Sequence, residues 1–186
     1  MLFDKVYVIN MDKRTDRLEK ISQELAGLGI AFERFPSIYD EHPLSSCRKS
    51  HLGVISKAKV EGLNSVLILE DDALFLDNFH ENLETVSKEL PDNWDMLYLG
   101  AQVLSRELFS PTLSRSIDSR SLQAYIVKSS IYDRLLNITW QGHVDYGFAM
   151  IHPEINAYVC TPALVKAHPG YSDLRQAEVN DLHIFK

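Results

Sequence analysis

The chain has 186 residues, 45% of them hydrophobic, with 26 acidic against 19 basic side chains and a formal net charge of −7. That length suits one large domain whose core needs no disulfide or metal staple, and the acidic balance excludes a general polyanion-binding surface, so no nucleic-acid partner is expected. Cys47 and Cys160 stand far apart without metal-type Cys/His spacing, which favours two buried thiols in a reducing compartment over a single long-range disulfide.

The opening MLFDKVYVIN carries Asp4 and Lys5 inside its apolar run and no small-residue cleavage site, so no signal peptide is expected. No apolar run approaches a membrane span. A cytoplasmic protein is expected, with peripheral membrane association through a partner left open. Residues 6–10 form a short apolar run with β-branched side chains and predict a buried strand. Leu18, Ile21, Leu25 and Leu28 then fall at helical spacing, with Gly29 as a stop. Residues 30–35 predict a strand closed by Pro36, and residues 46–60 a helix ended by Gly62, with Ser46 as its cap.

Residues 66–69 predict the third strand. Asp77 or Asn78 is expected to cap a helix with Phe79, Leu83, Val86 and Leu90 on its core face, Asn78 and Glu81 having capping-box spacing. A fourth strand is expected at residues 96–99, a polar loop at 100–121, a fifth strand at 122–127, a short helix at 131–138 and one more strand near residues 157–160. The order β-α-β-α-β-α-β predicts an α/β fold with helices on both faces of a central sheet.

The third strand runs straight into Glu70-Asp71-Asp72. Ligands of open α/β sheets sit outside the carboxyl ends of the strands, and adjacent like charges there need a compensating partner. A hard divalent cation, Mg²⁺ or Mn²⁺, is one such partner and commonly shares its coordination sphere with phosphates. Alternation along an extended segment predicts that Glu70 and Asp72 point one way and that Asp71 faces a backbone group or a basic side chain. The same acids could instead cap the next helix or face water.

Other groups are open to two readings. Asn10, Arg14 and Arg17 follow the first strand and suit an anionic ligand, but Asp12, Thr15 or Asp16 could cap the first helix and leave the arginines solvated. The stretch from 46 to 57 offers Ser50, His51 and Lys57 near a helix N-terminus, a natural anion site, although a lone histidine is more often structural. Asp145 beside Tyr146 and Phe148 suits a sugar-binding wall or a general base, or simply a turn after Gly142. Tyr125 and Trp140 could be core or ligand platform. No P-loop, dinucleotide-binding glycine pattern or nucleophile elbow is present.

In order along the chain, VYVINMDKRTDRLEKI, CRKSHLGVISKA, VLILEDDALF, WDMLYLG, QAYIVKSSIYDRLL, VDYGF, PALV and SDL resemble glycosyltransferase family 25, the family of lipopolysaccharide-type sugar transferases and of domains similar to procollagen galactosyltransferases. The resemblance covers nearly the whole chain. It implies a GT-A-like single domain over residues 1–186 with a mixed, mostly parallel central sheet, donor binding in about the first 100 residues and acceptor binding and catalysis in the remainder. It also implies a metal-dependent, inverting hexosyltransferase that moves galactose or glucose from a UDP-sugar to a hydroxyl of a glycan, lipopolysaccharide or protein-linked acceptor.

By the same resemblance, Asp72 is the expected ligand of Mn²⁺ or Mg²⁺, with Glu70 toward ribose or metal. Asn10, Arg14, Arg17, Ser50, His51, Lys57 and Asp71 are expected on the donor side, with Asp145 as base. Where the family often has glutamine near position 167, this chain has Ala167 followed by His168, and His168 is a further candidate for a metal or phosphate contact. The competing readings are a non-catalytic glycan- or nucleotide-binding module and an inverting glycosidase, which also needs two separated carboxylates.

Overall fold

The structure, a computed structural model, describes residues 2–185. In chain order the elements are β1 (Lys5–Asn10), α1 (Thr15–Gly27), β2 (Glu33–Pro36), α2 (Pro43–Val60), β3 (Ser65–Glu70), β4 (Ala73–Phe75) and α3 (Phe79–Glu89). They continue with β5 (Met96–Leu108), β6 (Leu113–Lys128), α4 (Tyr132–Leu136), α5 (Val144–Ala149), β7 (Ala157–Cys160), β8 (Val165–Ala167), β9 (Gly170–Ser172) and β10 (Ala177–Val179). The central sheet has the order β2-β1-β3-β6-β5-β7. β1 is parallel to both β2 and β3, β5 is parallel to β7, and β6 runs antiparallel to its neighbours. This is the mixed α/β, GT-A-like sheet expected.

The continuous apolar runs of β1 and β3 reflect burial on both faces, since side chains alternate across a strand. Tyr7, Ile9, Val66 and Ile68 pack with Val54, Ile55 and Ala58 of α2, and with Leu135 and Phe148 of α4 and α5. Val6, Val8, Leu67 and Leu69 pack on the other face with Ile21 and Leu25 of α1 and Phe79 and Val86 of α3. Each such side chain, fully buried, stabilises the fold by roughly 1.5–3 kcal/mol. Two helices therefore clamp one face and three the other, and the carboxyl ends of β1 and β3 emerge side by side. Among the described residues no helix is long and apolar enough to cross a membrane.

Five expectations about the elements need correction. Residues 100–121 are not a loop: β5 and β6 continue as a long two-stranded ribbon, paired through Leu108 and Ser114, with register shifts between Tyr98 and Arg106. Hydrophobic alternation is missing there because serines, Ser114, Ser116 and Ser119, take buried positions of the ribbon. Cross-strand hydrogen bonds hold it instead, and its buried serines pair with polar groups, as in Ser116 Oγ to Ser119 Oγ at 2.7 Å and to His152 Nδ1 at 2.9 Å.

Helix α2 starts at Pro43, in the first helical turn where proline is well suited. Ser46 therefore lies inside it, its Oγ accepting from the Asp40 N–H at 2.8 Å. Asn78 holds a left-handed backbone (φ 58°) and makes no side-chain cap bond, so the capping box with Glu81 does not form. The strand expected at residues 30–35 begins only at Glu33. VDYGF is a helix, α5, rather than a turn.

One glycine is required by packing. A Cβ on Gly100 would lie 1.8 Å from the Val165 carbonyl oxygen. The bare backbone lets residues 163–165 run against β5, where Leu164 N–H donates to Leu99 O at 2.6 Å. From there β8 pairs with β4, immediately after the acidic residues.

Candidate active site

The acids of the third strand lie at the carboxyl edge of the sheet. β3 ends at Glu70 and the chain turns through Asp71 and Asp72. The turn overrides the alternation expected of an extended segment. Asp71 and Asp72 share one cation: Arg17 Nη1 donates to Asp71 Oδ1 at 2.8 Å and to Asp72 Oδ2 at 2.9 Å. Glu70, still in the strand, points to the α2 face, its Oε1 at 3.1 Å from His51 Nε2. Asp71, as expected, is tied to basic and polar partners, accepting also from Asn10 Nδ2 at 2.7 Å.

The electrostatics follow from burial. Asp72 Oδ1 is buried with no hydrogen-bond partner. Burial, then the neighbouring charge of Glu70, push the Asp72 carboxyl up to about 7, against the pull of Arg17. Burial also lifts Asp71, which Arg17 and Asn10 only partly offset. A cluster of carboxylates with one guanidinium and an orphaned oxygen is deficient in positive charge.

The structure separates the remaining candidates. Asn10 is buried and joins the acids to β2, its Oδ1 accepting from Arg34 Nε at 2.9 Å. Arg14 precedes α1 without a capping bond and is held by Asp16 and by Asp173 Oδ2 at 2.6 Å. No side chain caps α1, so the capping alternative for Asp12, Thr15 and Asp16 does not arise. Arg17 donates a further bond to the Tyr171 carbonyl at 2.8 Å. Arg14, Arg17, Asp71, Asp72, His168 and Tyr171 line a cavity of about 300 Å³.

His168 donates its backbone N–H to the Asp72 carbonyl at 2.7 Å, while its imidazole bonds Glu24 rather than any of the three acids. Lys57 lies elsewhere, over Tyr7 and paired with Glu61 at 2.7 Å and Glu33 at 3.4 Å, toward the amino ends of the strands. Ser50 is buried and fastens α2 to the segment after β2, its Oγ accepting from Ile38 N–H at 2.8 Å.

Asp145 sits in the first turn of α5, its Oδ2 accepting from the Ser121 N–H at 3.1 Å and its Oδ1 from the Tyr146 N–H at 3.0 Å. Next to it, Tyr146 carries the Arg120 guanidinium 3.8 Å from its ring centroid and stacks with His143. Tyr125 is fully buried core, and its hydroxyl meets His51 Nδ1 at 3.1 Å. Cys47, not singled out from the sequence, ties these groups together. Burial raises its thiol well above the ordinary range, and the charges of Glu70, Asp145 and Asp72 act in the same direction.

A mixed sheet with acids at its carboxyl edge, a basic side chain across them and a cavity alongside is the arrangement of a GT-A-like domain. The family model for glycosyltransferase family 25 (LPS biosynthesis protein) matches residues 42–134, and the chain belongs to that family. It is similar to procollagen galactosyltransferase 1 of Danio rerio, 28% identical over an alignment of 138 positions that covers 58% of this chain and 23% of that protein. It is also similar to the inactive glycosyltransferase 25 family member 3 of Mus musculus, 25% identical over 138 residues with the same shares of the two chains. The chain thus spans about a quarter of the length of these relatives. The fold is similar to that of a glycosyltransferase involved in the glycosylation of the major capsid of PBCV-1, with a TM-score of 0.50 and 12% identity over 83% of this chain and 81% of that one.

Proposed function

We propose that this domain binds a UDP-sugar with the help of a divalent cation and transfers galactose or glucose, with inversion, to a hydroxyl of a glycan, lipopolysaccharide or protein-linked acceptor. The observation that carries the reading is the buried, unpartnered Oδ1 of Asp72 beside Glu70 and Asp71. An orphaned polar atom of that kind costs about 1–3 kcal/mol unless a ligand or water occupies it. The carboxylate oxygen of Asp72 is a hard donor that fits Mn²⁺ or Mg²⁺, whereas Glu70 is turned to His51 on the α2 face. When bound, such an ion supplies Lewis-acid charge to the diphosphate of the donor.

In this reading the chain's own residues divide the work. Asn10 and Asp71 hold the edge of the donor site. Arg14 and Arg17 present positive charge to the diphosphate, and Ser50 and His51 keep α2 seated beside it. His168 fixes the backbone of Asp72. Lys57, engaged at the other end of the strands, takes no part.

Asp145 accepts the proton of the acceptor hydroxyl as that oxygen attacks the anomeric carbon from the face opposite UDP. The bond from that carbon to the diphosphate oxygen breaks, and its electron pair leaves with UDP. Donor binding falls to about the first 100 residues and acceptor binding and catalysis to the rest.

The relative named inactive supports a second reading, a module that keeps the fold and binds a nucleotide or glycan without transfer. A thermal-shift panel of UDP, GDP and CMP, each with and without Mn²⁺, separates the two in part. UDP stabilising only in the presence of metal, together with a glycosylated product from a UDP-sugar panel, is the expected result. Absence of any nucleotide response would overturn the donor assignment, and binding without product would leave the non-catalytic module.

A further inference from the structure

Three different ligand types meet on the α2 face of the acid cluster. One ligand atom each from Cys47, His51 and Glu70 lies within 4.8 Å of the others. Cys47 and His51 are one helical turn apart in α2, so they project on the same side. Glu70 closes the group from the end of β3, and His51 Nε2 already stands 3.1 Å from Glu70 Oε1. Donor atoms of a tetrahedral zinc site with sulfur, nitrogen and oxygen ligands lie about 3.3–3.8 Å apart, given metal–ligand distances of about 2.0–2.3 Å. The group therefore needs a contraction of at most about 1.5 Å at its widest side.

The surroundings are those of a metal-bound histidine. His51 is buried, and its second nitrogen, Nδ1, faces the Tyr125 hydroxyl at 3.1 Å. Without metal, Nε2–H donates to Glu70 Oε1 and Nδ1 accepts from the Tyr125 hydroxyl; with a metal on Nε2 the proton would sit on Nδ1 and be donated to that same hydroxyl, the role outer-shell partners play for metal-bound imidazoles. Thiolate, carboxylate and neutral imidazole carry two negative charges, which one divalent ion neutralises. The ligand set differs in kind from the oxygen-only set at Asp72, since thiolate and imidazole select zinc-class ions over Mg²⁺ or Mn²⁺.

We infer that Cys47, His51 and Glu70 form a second metal site, specific for a zinc-class ion, with three protein ligands and a fourth position for water. It joins α2 to the carboxyl end of β3 on the sheet face away from Arg17, and it immobilises Glu70 beside the hard-cation site.

The test is a titration of the metal-stripped full chain with Co²⁺. The expected result is saturation near one equivalent, with a thiolate-to-cobalt charge-transfer band in the near ultraviolet that Zn²⁺ displaces and excess Mg²⁺ does not. The band should vanish in Cys47→Ser, persist in Cys160→Ser and Asp72→Asn, and need at least tenfold more cobalt in His51→Asn. No charge-transfer band in the wild-type protein, or a band that survives Cys47→Ser, overturns the assignment. The wild-type titration decides alone should any variant fail to fold.

Discussion

Arg17 reaches from α1 to within 2.9 Å of Asp72 Oδ2, while the other oxygen of Asp72 is buried without a partner. One guanidinium thus serves two carboxylates and leaves one oxygen of the pair unsatisfied. The arrangement holds the acids in place.

Removing that guanidinium should be costly. Breaking a largely buried ion pair by deleting one partner typically costs about 3–5 kcal/mol, because the remaining charge is uncompensated. Arg17→Gln is expected to lose stability in that range in urea denaturation at neutral pH without metal. Saturating Mn²⁺ should recover part of the loss. A change below about 1 kcal/mol would mean that solvent already screens the pair.

Asp72→Asn keeps the size of the side chain and removes its charge. The expected outcome is loss of Mn²⁺-dependent stabilisation by UDP, with sugar transfer nearly abolished. Thermal shift and Mn²⁺ electron paramagnetic resonance check the binding. Unchanged Mn²⁺ affinity in this variant would sink the metal assignment.

Asp145→Asn separates chemistry from binding. General-base assistance contributes typically ~10²–10⁴-fold, so turnover should fall by that factor while donor affinity holds. Both oxygens of Asp145 accept backbone hydrogen bonds, which the amide only partly preserves, so melting should be recorded alongside. A drop in donor affinity at unchanged turnover would make Asp145 a binding residue.

Gly100→Ala places a Cβ against a backbone carbonyl, 1.8 Å from Val165 O. Backbone cannot step aside as a flexible side chain does, so the cost should reach or exceed the ~1–3 kcal/mol usual for overpacking. Calorimetric melting measures it. Wild-type stability would show that residues 163–165 are free to move away from β5.

His152 gives the fold a pH dependence. It is fully buried between Tyr98 and Ser116, and burial lowers its pKa to about 4 from an ordinary value of 6.5. The unfolded chain therefore binds the proton first. This contribution to stability is complete above about pH 6.5 and is lost as pH falls through 4, amounting to about 3 kcal/mol. The stability difference between wild type and His152→Gln should shrink by that amount across the window, as read by urea unfolding at several pH values.

Much of the architecture was legible in residue order alone. The apolar runs of β1 and β3, the 3.6-residue spacing of Leu18, Ile21 and Leu25, and the stops at Gly29 and Gly62 are local signals, and each element formed where they pointed. The placement of acids after a buried strand also marked the edge where they stand. Local signals failed where long-range pairing replaces burial. The outer β5–β6 ribbon carries no hydrophobic pattern because hydrogen bonds between residues such as Gln102 and Arg120 hold it.

Tertiary structure alone decided which charges meet. The sequence marked Arg14 and Arg17 alike, but Arg14 is held by Asp16 and Asp173 while Arg17 reaches the acids. It marked Lys57 and His51 on one helix, yet α2 is long enough to carry Lys57 toward the amino ends of the strands and leave His51 at Glu70. Cys47 stood one turn from His51 in plain view, but a pair at that spacing becomes a ligand set only when a third donor arrives from β3. Spacing along a chain fixes which residues share a helix face, and the packing of that face against the sheet determines what they touch.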